Sequence, residues 1–304
     1  MINGSNNPAW NGVGIQRGSV RPSDSPWLSW MGPWNFDVFV AQAQDPLLVS
    51  QQPTGYLFSG MRLTMRPRPW LELGISRGLQ TAGRGRPGGA QEFFKAFLGQ
   101  QTNREPGDPP DSSNQIAGYD LRVRCPLAWG SCAAYTQWMG EDSAGTPPLP
   151  YRFMRLWGAE WTLGARHRLF AEYADSYTPG WQTAGLIPGY TNGVYSQGYT
   201  NGARWIGSAQ GGASHVTTVG WMDAGRDLRL KAHWGSVGLG LGSYAPGVDQ
   251  PHGQLRGLSV SQDVRWLGVA WTPELSWTHL SDGQDVGANR RNNLRAGVAL
   301  HVPL

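Results

Sequence analysis

The residues most able to do chemistry are six histidines, His167, His215, His233, His252, His279 and His301. None has the His-Glu-x-x-His spacing that sets two imidazoles on one helical face for zinc, and no Gly-x-Ser-x-Gly turn presents a nucleophile. Glu141 and Asp142 are neighbouring carboxylates, the residue type that glycoside hydrolysis uses in pairs. Adjacent strand residues point to opposite faces, however, so these two cannot flank one bond and are better suited to ordering a loop. Cys125 and Cys132 stand either side of a short stretch, Pro-Leu-Ala-Trp-Gly-Ser. If that stretch turns a hairpin, the thiols face each other within reach of a disulfide that an oxidising compartment would allow; unpaired thiols are the alternative. Two sulfurs with no nearby histidine make a poor zinc site. No catalytic residue, metal or cofactor is therefore expected.

Recognition is the chemistry that remains. Between residues 176 and 212 lie Tyr177, Trp181, Tyr190, Tyr195, Tyr199, Arg204 and Trp205, set among Gly, Ser, Thr and Asn. Aromatic faces for sugar rings beside polar groups for hydroxyls are what a polysaccharide-binding surface needs. Gly-Tyr-Thr-Asn-Gly occurs twice here, at 189–193 and 198–202, as a doubled glycan-contacting turn or as two plain turns. Rings near strand ends also act as membrane-interface anchors with no ligand at all.

Strands must position these residues. From Asn293 onward, Leu294, Ala296, Val298, Leu300, Val302 and Leu304 are apolar, alternating with Arg295, Gly297, Ala299, His301 and Pro303. A period of two gives one greasy and one wet face, as in the closing strand of an outer-membrane barrel, although such barrels often end in an aromatic residue and this chain ends in leucine. The same alternation recurs over 34–41, 55–65, 71–76, 115–125, 131–139, 153–163, 166–175, 213–222, 227–235, 254–262 and 265–279. That makes about twelve strands, most near the ~9–11 residues that a tilted membrane strand requires. A short amphipathic helix is expected at 92–98. Short connections (66–67, 126–130, 164–165, 223–226, 263–264) alternate with long ones (43–54, 79–113, 140–151, 176–212, 236–253, 280–291), as periplasmic turns alternate with outer loops.

Composition agrees: 43 glycines, 16 tryptophans and only 15% charged residues suit many strands and turns with rings at a boundary. No apolar run reaches the ~18 residues of a membrane helix, and a barrel needs none. The formal charge of +4, without a Lys/Arg run, gives no support to nucleic-acid binding. The start, Met-Ile-Asn-Gly-Ser, is no signal peptide, so the expectation is an export signal lying upstream. The fold expected is all-β, an antiparallel transmembrane outer-membrane β-barrel over 34–304 after an irregular segment at 1–33, N-terminally incomplete relative to a larger barrel. A large soluble β-protein is the alternative. In the barrel the lumen receives Arg62, Glu72, Asp120, Arg122, Arg124, Glu160, Glu172, Arg229 and Lys231. Both signs are present, so cross-strand pairing and a filled interior are expected, with an ordinary porin wall as the alternative.

Four strings carry a resemblance: Asn114–Arg122 (NQIAGYDLR), Tyr135–Asp142 (YTQWMGED), Phe170–Ser176 (FAEYADS) and Gly198–Gly207 (GYTNGARWIG). They resemble the capsule-assembly Wzi family and occur in that family's order, over about residues 34 to 280. Near the fourth string the family pattern has a tyrosine where this chain has Asn201 and a histidine where it has Ser208. The resemblance implies a monomeric, lectin-like barrel that tethers capsular or extracellular polysaccharide at the cell surface, embedded in outer-membrane lipid and without catalysis. A diffusion porin is the nearer alternative and a glycan- or lipid-modifying enzyme the remoter one. Family members resemble larger barrels preceded by a helical part, so an N-terminal third is expected to be missing.

Overall fold

The computed structural model describes residues 10–44, 55–99, 112–127, 130–141, 143–144, 149–150, 152–178, 189–191, 194–195, 198–202, 204–208, 210–238, 252–266, 269–282 and 290–301. The first half comprises β1 (Asn11–Gln16), β2 (Trp34–Gln42), β3 (Leu57–Arg68), β4 (Leu71–Thr81), α1 (Ala90–Phe97), β5 (Asn114–Leu127), β6 (Gly130–Gly140), β7 (Ser143–Ala144) and β8 (Leu149–Pro150). Next come β9 (Phe153–Leu163), β10 (His167–Asp175), β11 (Thr200–Asn201), β12 (Arg204–Trp205), β13 (Ser214–Asp223) and β14 (Leu228–Gly238). The last four are β15 (His252–Gln262), β16 (Val264–Trp266), β17 (Val269–Asp282) and β18 (Arg290–His301).

One antiparallel sheet of fourteen strands contains all of these but the small hairpins β7–β8 and β11–β12. Apart from β15, which pairs with β17 rather than β16, each strand of the sheet pairs with the next sheet strand in the chain, the meander that an up-and-down barrel requires. The twelve strands expected from the alternation are present. The other two are β16, which carries the line of β15 along the edge of β17, and β1, which pairs with β2 inside the segment expected to be irregular. β1 escapes a reading by pattern because it has only six residues, and two of them are glycines.

Two reversals fall later than expected. β3 runs to Arg68, with a register shift between Met65 and Arg68, so the chain turns at 69–70 rather than at 66–67. Pro67 has no N–H to donate, and an irregularity in the ladder accommodates it. The line of β15 is interrupted at Asp263 and resumes as β16, moving that reversal from 263–264 to 267–268. The connections otherwise group as long at one end of the sheet and short at the other. The exception is 17–33, a long connection at the short-turn end.

Directly opposed residues share a face, so the register traces each face across the sheet. On one side Cys132 leads to Trp161, Leu169, Trp221, Leu230, Val260, Leu275 and Ala296. On the other, Arg122 leads to Tyr135, Gly158, Glu172, Thr218, His233, Gly257 and Thr278. The apolar face is the uncovered one: Trp161, Leu169, Leu230, Leu275 and Trp277 are all more than a third exposed, and Leu294 is 70% exposed. An uncovered apolar surface this wide far exceeds the patches of a few hundred Å² found on soluble monomers, and it meets a bilayer's demand.

At the long-connection end of that face, rings join into a chain across five strands. Tyr119 stacks on Trp138 (6.2 Å), Trp138 meets Trp157 (5.9 Å), Trp157 stacks on Tyr173 (6.0 Å) and Tyr173 on His215 (6.5 Å). Such a row is the aromatic girdle of a membrane–water boundary. At the short-turn end, Cys125 lies opposite Cys132 with Cα atoms 5.0 Å apart, and the two are joined by a disulfide. Tryptic peptides mapped without reductant should carry these cysteines as one linked species; alkylated free thiols would refute the bond.

Several inward side chains lie flat over a glycine of the adjacent strand. A Cβ on Gly60 would come within 2.2 Å of the Phe39 ring, and one on Gly158 within 2.3 Å of Tyr135. Cross-strand placement of a ring over a glycine lets a large side chain follow the curved wall of the sheet.

Candidate functional site

The inward face carries a ladder of charge. Arg62 grips Asp120 with two bonds of 2.8 and 3.0 Å and donates a third to Ser76 at 2.7 Å. Glu72 accepts from Arg66 and Arg124, both at 3.1 Å. Glu160 sits between Arg122 and Arg168, and Glu172 accepts the Tyr135 hydroxyl at 2.8 Å. Arg229 pairs with Asp263, whose carboxylate also accepts from Thr272 at 2.8 Å. Lys231 shares this face, opposite Gly220 and Ser259. These partners sit on different strands, so each pair ties the wall laterally; being partly exposed, each adds about 0–1 kcal/mol.

Toward the long-connection end the lumen is filled by the chain itself. Phe58, Ile116, Met139, Met154 and Leu156 point inward from the wall and pack with Tyr190, Tyr195 and Tyr199 into the largest core cluster. The three tyrosines are each 0% exposed. Backbone and side-chain bonds fix the segment that carries them. Gln80 donates to the Gly198 carbonyl at 2.9 Å, the Gln44 N–H to Asn201 Oδ1 at 2.7 Å, and the Gly202 N–H to the Gln44 carbonyl at 2.8 Å. The Tyr195 hydroxyl donates to the Ala82 carbonyl at 3.0 Å, and Glu141 accepts the N–H of Tyr190. The two Gly-Tyr-Thr-Asn-Gly copies meet where the Tyr199 N–H donates to the Tyr190 carbonyl at 2.8 Å. Burial pushes the Tyr195 phenol up to about 12 and that of Tyr190 well above its ordinary value, so both remain neutral phenols.

This placement corrects the expectation that these tyrosines face a glycan. Tyr190, Tyr195 and Tyr199 are the body of a plug, their ring faces covered by protein. Tyr177 is buried too and stacks on His215 at 4.7 Å. Arg204 is exposed and Trp205 half-buried, so these two retain surface for a ligand. Trp181 and Asp142 lie outside the described residues. The departures from the family pattern serve the plug as well: Asn201 is a buried acceptor, and the Ser208 N–H donates to the Tyr190 hydroxyl at 3.2 Å.

Two concavities accompany this arrangement. A shallow one of about 770 Å³ follows the small outward residues Ala134, Ala159, Ala171 and Ala232 between Trp161 and Trp221. With its apolar lining it suits acyl chains and offers sugar hydroxyls little. The other, about 260 Å³, lies between the plug and the inner wall. Tyr190, Tyr199, Ile206 and Gly207 form its roof, and Asp37, Phe39, Phe58, Arg62 and Ser76 contribute its wall, with Trp10 at one side. No pattern in the sequence marks it, because it joins β2, β3 and β4 to a segment more than a hundred residues away.

Similarity to known proteins points the same way. A solved structure described as Wzi, an outer membrane protein involved in group 1 capsule assembly in Escherichia coli and a carbohydrate-binding β-barrel, superposes with a TM-score of 0.71. It is 23% identical, and the match covers 100% of this chain and 63% of that one. A Klebsiella pneumoniae relative, described as an uncharacterized 55.8 kDa protein in the cps region, is 32% identical over 159 residues, 51% of this chain and 29% of the relative. The chain thus spans under two thirds of the solved relative's length. The shared fold is the antiparallel β-barrel. Residues 3–268 match the family described as capsule assembly protein Wzi, and the chain belongs to that family.

Proposed function

We propose that this chain acts in the outer membrane as a β-barrel that holds capsular or extracellular polysaccharide at the cell surface by binding, without chemical change to the polymer. One observation carries the reading: a sheet with an apolar exposed face and a polar inner face, its long-loop mouth filled by residues 189–208. The first half demands lipid and the second speaks against the open passage that a diffusion porin needs. Support for a carbohydrate comes from the solved relative, described as carbohydrate-binding, and from the exposed Arg204 beside Trp205. Against a glycan-cleaving role, Glu141 is engaged in holding the plug.

Deleting the gene should leave total polysaccharide unchanged while moving most of it from washed cells into the medium. Retention on the cells would sink the tethering role and move the porin reading to first place.

A further inference from the structure

The lumenal cavity beneath the plug has the chemistry of a sugar subsite. Phe39 and Phe58 form a tilted pair with ring centroids 5.9 Å apart, and Trp10 stacks on Phe58 at 5.4 Å. The Phe39 ring lies against Gly60, flat along the wall. Trp10 and Tyr199 cover the buried Phe58, so the half-buried Phe39 is the ring left open to the concavity, a platform for the apolar C–H face of a pyranose.

Polar capacity in the cavity is unevenly used. Arg62 has its charge balanced by Asp120 and spends three of its five N–H donors on Asp120 and Ser76, while Arg77, also in the lining, donates to Gln115 and the Ala96 carbonyl. Asp37 lies directly opposite Arg62 in the ladder, yet the guanidinium reaches across β4 to Asp120 instead. Among the described residues the Asp37 carboxylate has no hydrogen bond or ion pair, and it is exposed to the cavity. A lone carboxylate is an acceptor for two hydroxyls and repels a second carboxylate. At about 260 Å³ the space falls just below the ~300–1,000 Å³ typical of drug-sized ligands, which leaves room for one ring rather than a chain.

From these features we infer that the cavity binds a single neutral pyranose unit, its C–H face on Phe39 and its hydroxyls on Asp37. The inference rests on the carbohydrate-binding reading above and gives it a second location, inside the wall.

Saturation-transfer NMR on the full chain in detergent micelles tests it, with methyl glucoside, methyl galactoside, methyl mannoside and methyl glucuronide as probes. At least one neutral glycoside should show transfer and the glucuronide none. Asp37→Ala should weaken the neutral binding tenfold or more, and Phe39→Leu should weaken it with the charge intact. Both variants should keep wild-type heat-modifiable mobility on gels. No transfer from any neutral glycoside, or wild-type binding in folded Asp37→Ala and Phe39→Leu, would overturn the inference. Polysaccharide retention on beads carrying the protein is scored separately. Retained polymer without monosaccharide binding removes the subsite alone; Asp37-dependent monosaccharide binding without retention removes the tethering role alone.

Discussion

Leu230→Arg should weaken folding into bilayers toward the lower end of the about 2–4 kcal/mol that a charge facing lipid costs at mid-depth, because Leu230 is the third residue of β14. Leu230 lies in the outward row between Trp221 and Val260, distant from the inward charges. The neighbouring Arg229 points the other way, where it meets Asp263. The control is therefore built in: Lys231→Arg, one residue along on the inner face, should be nearly neutral. Urea titration of both variants in lipid vesicles measures the difference. Equal stability of Leu230→Arg and wild type would place this face in water.

The plug gives the second large effect. The wild-type protein in planar bilayers should show no steady open channel, because Tyr190, Tyr195 and Tyr199 occupy the space inside β3, β5, β6 and β9 in a packed core. Replacing Tyr190 and Tyr199 together by alanine removes two fully buried rings, each worth about 3–5 kcal/mol by analogy with other aromatic truncations. That loss exceeds what the few anchoring bonds supply, so the segment should leave the mouth and flickering conductance should appear while the strands stay folded. A variant as silent as wild type, with β-sheet content retained, would mean that the tyrosines do not close the passage.

Much of the fold is legible in the sequence because a membrane barrel writes itself in period two. Leu228, Leu230, Ala232 and Trp234 against Arg229, Lys231 and His233 give the orientation of β14 with no further information. What escaped had no period to show. β1 is short and rich in glycine, and at Pro67 and Asp263 the ladder is interrupted without the strand ending. The residues expected to bind were harder to place for a different reason. A tyrosine among glycines in a long polar segment reads as surface, and only tertiary packing shows that Tyr190 and Tyr199 turn inward onto Phe58 and Met154. Burial of that kind is set by partners far away in the chain. The same holds for Asp37, whose lack of a partner follows from the direction that Arg62 takes.

The anchoring of the plug also bears on how such a chain can change over generations. Tyr190, Tyr195, Gly198 and Asn201 are fastened to Glu141, Ala82, Gln80 and Gln44, which stand at the ends of β2, β4 and β6 or just beyond them. Surface loops of exported barrels ordinarily drift one by one under pressure from phages and antibodies. Here four connections share one knot, so a replacement at Gln80 removes the donor to the Gly198 carbonyl, and one at Asn201 removes the acceptor of the Gln44 N–H. Lineages that diversify this surface should therefore do so in correlated sets, with Gln80 exchanged together with the segment around Gly198.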